Sequence, residues 1–295
     1  MSARLYAMII ASLMLIVCIS GCGKPNAGQD NMIVAASIAP LYYFSQQVGG
    51  ERVKVTLLVP PGSNPHTYQI QPSQMADLSK TSVLVLNGVG LEFWADRVAD
   101  AADNPELIVT DTADGLHIMD EEAGHGHEHG NPHVWLDPVD AIHQVEKIRD
   151  AFVKADPSHA EQYRANADKL IERLNALDGD IRAEVSGFRH KSFVTFHPTW
   201  TYFAHRYGLN QAAEIEPSPG KEPSPRDISQ AIKIARKLKV RAIFAEPQMS
   251  PKAAQVVAEE ADAKVLLLDA FGQPPDYDYF ANMRENIKKM AEALK

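Results

Sequence analysis

From residue 32 onward the chain alternates short apolar runs with longer stretches whose apolar residues recur every three or four positions. The runs "MIVAAS" (32–37), "VKVTLLV" (53–59), "SVLVLNG" (82–88) and "ELIVTD" (106–111) are rich in Val, Ile and Leu, as strands buried on both faces are. Between them, "APLYYFSQQVG" and "LEFWADRVADAA" read as helices. Alternation of this kind predicts a βα architecture built on a largely parallel sheet.

Near residue 139 the pattern changes. "DAIHQVEKIRDAFVKADP" predicts a helix ending before Pro157, and the segment 158–188 then carries no strand signal. Its apolar residues Tyr163, Ala167, Leu170, Leu174, Leu177, Ile181 and Val185 fall on one helical face. At about 1.5 Å of rise per residue, such a helix crosses a whole small domain; Gly179 weakens it only modestly. Alternation then resumes, with strands at 192–197, 211–216, 241–247 and 264–270. The helices "TWTYFAHRYG", "SPRDISQAIKIARKL", "SPKAAQVVAEEA" and "YDYFANMRENIKKMAEAL" lie among and after them; in the second, Ser224 takes the cap and Pro225 the first turn. The chain therefore reads as an α/β protein of two similar four-stranded lobes, residues 32–155 and 189–295. A long rigid linker helix within 156–188 joins them, and the cleft between lobes is the natural place for a ligand.

The first residues stand outside this scheme. After Arg4 comes an apolar run from Leu5 to Ile19, shorter than the roughly 20 residues a spanning helix needs and fitting a secretory signal. It closes on Ile19-Ser20-Gly21-Cys22, which resembles the bacterial lipobox. This implies a lipoprotein signal peptide over 1–21, a lipid anchor on Cys22 and a tether over 22–31. An uncleaved anchor is the alternative; both put the body outside the cytoplasm, attached to a membrane on the periplasmic side or at the cell surface.

Charge and cysteine count narrow the chemistry. The formal net charge is −9, and loss of the +1 of Arg4 with the leader makes it −10. With no basic stripe to release counterions from phosphate, the charge argues against nucleic-acid binding. Of the two cysteines, Cys18 leaves with the leader and Cys22 becomes the anchor. The exported body then has no disulfide, no thiolate zinc site and no cysteine nucleophile.

Histidines carry the remaining signal. Asn-Pro-His occurs twice, at 64–66 and 131–133. Proline fixes its own φ and biases the asparagine toward extended backbone, so His66 and His133 each leave a stiff turn in a defined direction. In the second lobe His197 ends the run "SFVTF" and Asp269 ends "KVLLL", both at carboxyl edges where α/β proteins place ligands. Three imidazoles and one carboxylate fill a tetrahedral shell for Zn²⁺ without thiolate, and imidazole-rich ligation favours Zn²⁺, Cu²⁺ or Ni²⁺ over Mn²⁺. Four protein ligands leave no position for an activated water, so such a site holds metal rather than using it.

The stretches "GSNPHTYQIQPSQMADL", "NPHVWLDP", "FHPTWTYFAHRYGL", "KEPSPRDIS", "IFAEPQ" and "LLLDAFG" together resemble the zinc/manganese ABC-transporter solute-binding proteins, the cluster A-I (ZnuA/TroA-like) family. The resemblance runs from about residue 32 to the C-terminus. It implies two α/β lobes bridged by a rigid helix, a metal held between them by His66, His133, His197 and Asp269, and delivery to a membrane permease with its cytoplasmic ATPase. A monomer is expected. Manganese members usually carry Glu where this chain has His197, so the resemblance points to zinc. The chain departs at Pro198, where many relatives have an acidic residue. Glu246 is expected near the metal without touching it. Zinc-selective members often carry a His-rich insertion before the second ligand. "HGHEHG" looks like a short one, with His125, His127 and His129 as an auxiliary weak metal-binding loop. His117, His143, His159, His190 and His205 are expected to be surface or structural. The rival readings are a manganese or iron binder of the same fold, a zinc hydrolase using Glu246 as general base, and a metal-buffering or adhesive surface protein.

Overall fold

A computed structural model describes residues 31–119, 130–216 and 220–295. The leader, Cys22 and nearly all of the tether lie outside the described residues, as do His125, His127 and His129. The unit described below is Met32–Lys295.

The four expected strands of each lobe form, each shorter than its apolar run and within it, except that β6 begins one residue early, at Asn210. β1 (Met32–Ala36), β2 (Val53–Leu57), β3 (Val83–Leu86) and β4 (Ile108–Asp111) lie in the order β2-β1-β3-β4, all parallel. β5 (Ser192–Thr195), β6 (Asn210–Glu214), β7 (Ala242–Ala245) and β8 (Lys264–Leu267) repeat that order as β6-β5-β7-β8. The ends trim for a physical reason. Pro198 has no N–H to continue a ladder beyond His197, and the N–H of Asp269 is taken by Asn286 Oδ1 at 2.8 Å instead of a neighbouring strand. Both residues thus stand just outside the sheet, two positions beyond the last residues of β5 and β8.

Nine helices are found among the described residues: α1 (Ala39–Gly49), α2 (Pro72–Leu78), α3 (Ala95–Ala101), α4 (Pro138–Ala155), α5 (Ala160–Ser186), α6 (Thr201–Tyr207), α7 (Pro225–Leu238), α8 (Lys252–Ala261) and α9 (Tyr279–Leu294). Helix α5 is the linker. Its 27 residues span about 40 Å, and its buried residues are the seven apolar positions of the sequence pattern. Gly179 sits on the solvent side, where an added Cβ would meet nothing. Helix α2 was not expected from the pattern, because its seven residues carry one buried side chain, Leu78.

Strand alternation splits the apolar side chains between two faces. Val83 and Val85 of β3, with Phe193 of β5 and Phe244 of β7, join one continuous core that also takes Phe44 of α1, Leu170 and Leu174 of α5, and Tyr279 of α9. The alternate residues face outward into separate clusters: Leu84 and Leu86 pack with Trp94 and Val98 of lobe one, and Val194 and Ile243 with Ala231 and Val257 of lobe two. The two lobes therefore share their main core. Polar contacts reinforce the seam. Trp135 Nε1 donates to the Ala270 carbonyl at 2.8 Å, Tyr279 OH donates to the Trp135 carbonyl at 2.6 Å, and Arg206 Nε donates to both Asp137 oxygens at 2.9 and 2.7 Å.

Candidate metal centre

The first candidate ligand, His66, lies on the loop between β2 and α2. Asn64 Oδ1 accepts the His66 backbone N–H at 3.0 Å, so the asparagine side chain closes the turn that Pro65 stiffens. Gln74 of α2 ties the loop down at both ends: Nε2 donates to the Leu58 carbonyl at 2.6 Å, and Oε1 accepts from Tyr68 OH at 2.9 Å. The same Gln74 completes a capping box with Gln71, which is why a helix this short forms here.

The second tripeptide closes in the same way, with Asn131 Oδ1 accepting the His133 N–H at 3.0 Å. Its proline carbonyl is held from lobe one, where Asn87 Nδ2 donates to Pro132 O at 2.8 Å. Asn87 is fixed in turn by Gln144 Nε2 and by the buried Glu92, whose oxygens accept the N–H groups of Asn87 and Gly88 at 2.9 and 3.0 Å. Burial pushes the Glu92 carboxyl up, against those hydrogen bonds. Asp137, at the end of the same segment, caps α4 by accepting from Val139 N at 2.9 Å. The Trp135 ring packs 5.2 Å from that of His133.

His197 caps the short 3₁₀ turn Pro198–Trp200 that follows β5. Two residues on, Thr199 Oγ1 donates to Glu246 Oε1 at 2.6 Å. Burial lifts the Glu246 carboxyl to about 8, with the neighbouring Asp269 and Glu216 adding to the rise and Thr199 opposing it. Glu246 thus braces the backbone leaving His197.

These elements bring three histidines from three loops to one point. His66 Nε2 lies 3.2 Å from His133 Nε2 and 3.1 Å from His197 Nε2, and the last two are 3.3 Å apart. His133 and His197 are fully buried, and His66 is half-buried. Nitrogens held about 2.0–2.1 Å from one tetrahedral Zn²⁺ lie about 3.3–3.4 Å from each other. The observed triangle has nearly those edges. Three imidazole nitrogens turned toward one another are an arrangement that a cation neutralises.

Asp269 stands apart from this group. The three histidines form the one cluster of possible metal donors among the described residues, and no Asp269 oxygen belongs to it. Its Oδ1 instead accepts from Phe271 N at 3.1 Å, Gly272 N at 2.8 Å and Gln248 Nε2 at 3.4 Å. Asn282 and Asn286 of α9 both donate to its backbone carbonyl. Gly272 has φ +78, and an added Cβ would lie 1.9 Å from Tyr277, so only glycine fits this carboxylate cradle.

The sequence between residues 34 and 293 matches the profile of the family described as zinc-uptake complex component A, periplasmic (ZnuA). A Treponema pallidum protein described as metal-binding is 31% identical over 276 residues, covering 90% of this chain and 87% of that one. The zinc-binding lipoprotein AdcA of Streptococcus pneumoniae is 30% identical over 302 residues; the match takes in 97% of this chain but only 60% of AdcA. In structure, the chain resembles a crystallised ZnuA deletion mutant with zinc bound, at a TM-score of 0.82 and 32% identity, over 90% of this chain and 99% of that one.

Proposed function

Because the chain belongs to the zinc-uptake complex component A family, we propose that it is an extracytoplasmic zinc-binding protein that captures Zn²⁺ and delivers it to the permease of an ABC-type importer. The convergence of three Nε2 atoms within 3.3 Å carries this reading. His66, His133 and His197 are the metal donors, and Asp269 supplies the fourth through Oδ2, its Oδ1 being engaged by backbone N–H groups. A complete protein shell suits a carrier, not an enzyme, since it leaves no place for a reactive water. The imidazole majority favours Zn²⁺ over Mn²⁺.

The partners are the membrane permease and its cytoplasmic ATPase. A lipid on Cys22, after removal of residues 1–21, anchors the monomeric body to the membrane. The lobes are residues 32–155 and 189–295, with the linker between them. His125, His127 and His129 act as auxiliary metal-binding residues of weak affinity. Zinc displaces protons from any charged imidazole, so affinity falls below about pH 6.5.

Competitive titration of the purified protein tests the reading. One Zn²⁺ per chain is expected to bind tightly and to exclude Mn²⁺. Single replacement of His66, His133 or His197 by Ala is expected to remove that site, and Asp269→Ala to weaken it. Excision of 124–130 should spare the tight site and remove only weaker binding. Manganese outcompeting zinc, or a tight site indifferent to His66→Ala or His197→Ala, would overturn the proposal.

A further inference from the structure

The two Asn-Pro-His tripeptides share their turn but differ in what else the asparagine does. Asn64 is partly exposed and caps the His66 backbone. Asn131 is 1% exposed, and both atoms of its amide are committed twice. Oδ1 accepts from the His133 backbone N–H at 3.0 Å and lies 2.8 Å from the His133 ring Nδ1. Nδ2 donates to the Pro198 carbonyl at 2.6 Å and to Thr201 Oγ1 at 3.2 Å, both on the segment that follows His197. The Asn131 carbonyl accepts from Tyr202 OH of α6 at 2.7 Å.

These contacts admit one proton arrangement. The Pro198 carbonyl oxygen can only accept, so the amide atom facing it is the nitrogen and the atom facing His133 is the oxygen. An amide oxygen cannot donate, so His133 Nδ1 carries the hydrogen of that pair. In a neutral imidazole the hydrogen is then absent from Nε2, the nitrogen turned toward His66 and His197. The same side chain holds the His133 ring to the backbone beside His197, which belongs to the other lobe.

We propose that Asn131 is a positioning residue for metal capture, which fixes the metal-ready tautomer of His133 and ties that ring across the lobe seam to the His197 loop. It deepens the metal-carrier reading above and rests on it. One amide thus contacts both the His133 ring and the backbone that follows His197, whereas the His66 turn is closed from its own loop. Neither Asn64 nor Gln74 spans the seam in this way.

The full-length protein provides the test. In the zinc-free wild type, long-range ¹H–¹⁵N NMR of the imidazoles is expected to show His133 protonated at Nδ1; protonation at Nε2 overturns the proposal without any variant. Asn131→Ala is expected to lower zinc affinity by about 10- to 100-fold, the usual range for groups that hold a ligand rather than the metal, and to release the tautomer preference. Asn131→Asp keeps the acceptor but loses both cross-lobe donors. It is expected to preserve the Nδ1–H tautomer and still lose affinity about tenfold or more; wild-type affinity in this variant would remove the cross-lobe role. His133→Ala separates the two levels. If it leaves tight zinc binding intact, the metal-site reading itself is wrong. If it abolishes binding while Asn131→Ala stays within threefold of wild type, only the role given to Asn131 is wrong.

Discussion

Glu246 combines near-complete burial with a carboxyl lifted to about 8 by that burial. One oxygen accepts from Thr199, and the other has no hydrogen-bond partner among the described residues. An unfolded glutamate titrates near 4.5, so between about pH 4.5 and 8 the folded chain holds a proton that the unfolded chain has lost. Stability from this group is full below the unfolded value and drains away as pH rises through the folded one. Thermal melts of the zinc-free protein should therefore lose less stability between pH 5 and 8.5 in Glu246→Gln than in wild type; parallel curves would refute this. The same residue illustrates what single positions disclose in the sequence. His66 and His133 stood out because a rigid tripeptide occurs twice, and His197 because it ends an apolar run before a proline. The bracing groups Asn87 and Gln74 gave no such signal, and the cross-lobe contacts of Asn131 gave none either. An amide's worth depends on which carbonyl or imidazole folding brings beside it, and those partners lie far away in the chain, as Pro198 does from Asn131. The repeated asparagine is visible in the sequence, but that its side chain closes each turn emerges only in the fold.

Helix α5 was the most legible element, since seven apolar residues at helical spacing leave one solution for which face is buried. Leu174 is fully buried in the shared core. Leu174→Ala should cost about 2–5 kcal/mol, as large-to-small core changes do, measured by chemical denaturation. Ser224 offers a contrast at an exposed helix start. Its hydroxyl and the Asp227 carboxylate form a reciprocal cap, and Ser224→Ala should cost only about 1 kcal/mol. A reversed order of the two effects would contradict this account of the elements. Helix α2 escaped prediction because capping by Gln71 and Gln74, rather than an apolar face, specifies it. Strand ends were overextended for a related reason: apolarity continues past β5 and β8, but Pro198 and the side chain of Asn286 end the ladders.

At the scale of the whole molecule, two sheets of identical strand order face a common core instead of keeping separate ones. Local patterns disclosed two lobes, yet not their fusion, because periodicity marks a face as apolar without saying what covers it. A shared core predicts that both lobes unfold together in one calorimetric transition. Zinc at a thousandfold excess over its dissociation constant should stabilise that transition by about 4 kcal/mol, a gain that a chelator removes. Two separated transitions, with zinc raising only one, would show the lobes to be independent. The seam formed by Trp135, Ala270 and Tyr279 also has a signature in heat capacity. A carrier whose halves swing shut buries new apolar surface, and roughly 500 Å² of it would lower the heat capacity by about 0.2 kcal/mol per kelvin. Trp135, Ala270 and Tyr279 are buried and hydrogen-bonded across this seam. A seam that stays closed through capture would leave the enthalpy of zinc binding, corrected for buffer protonation, nearly independent of temperature.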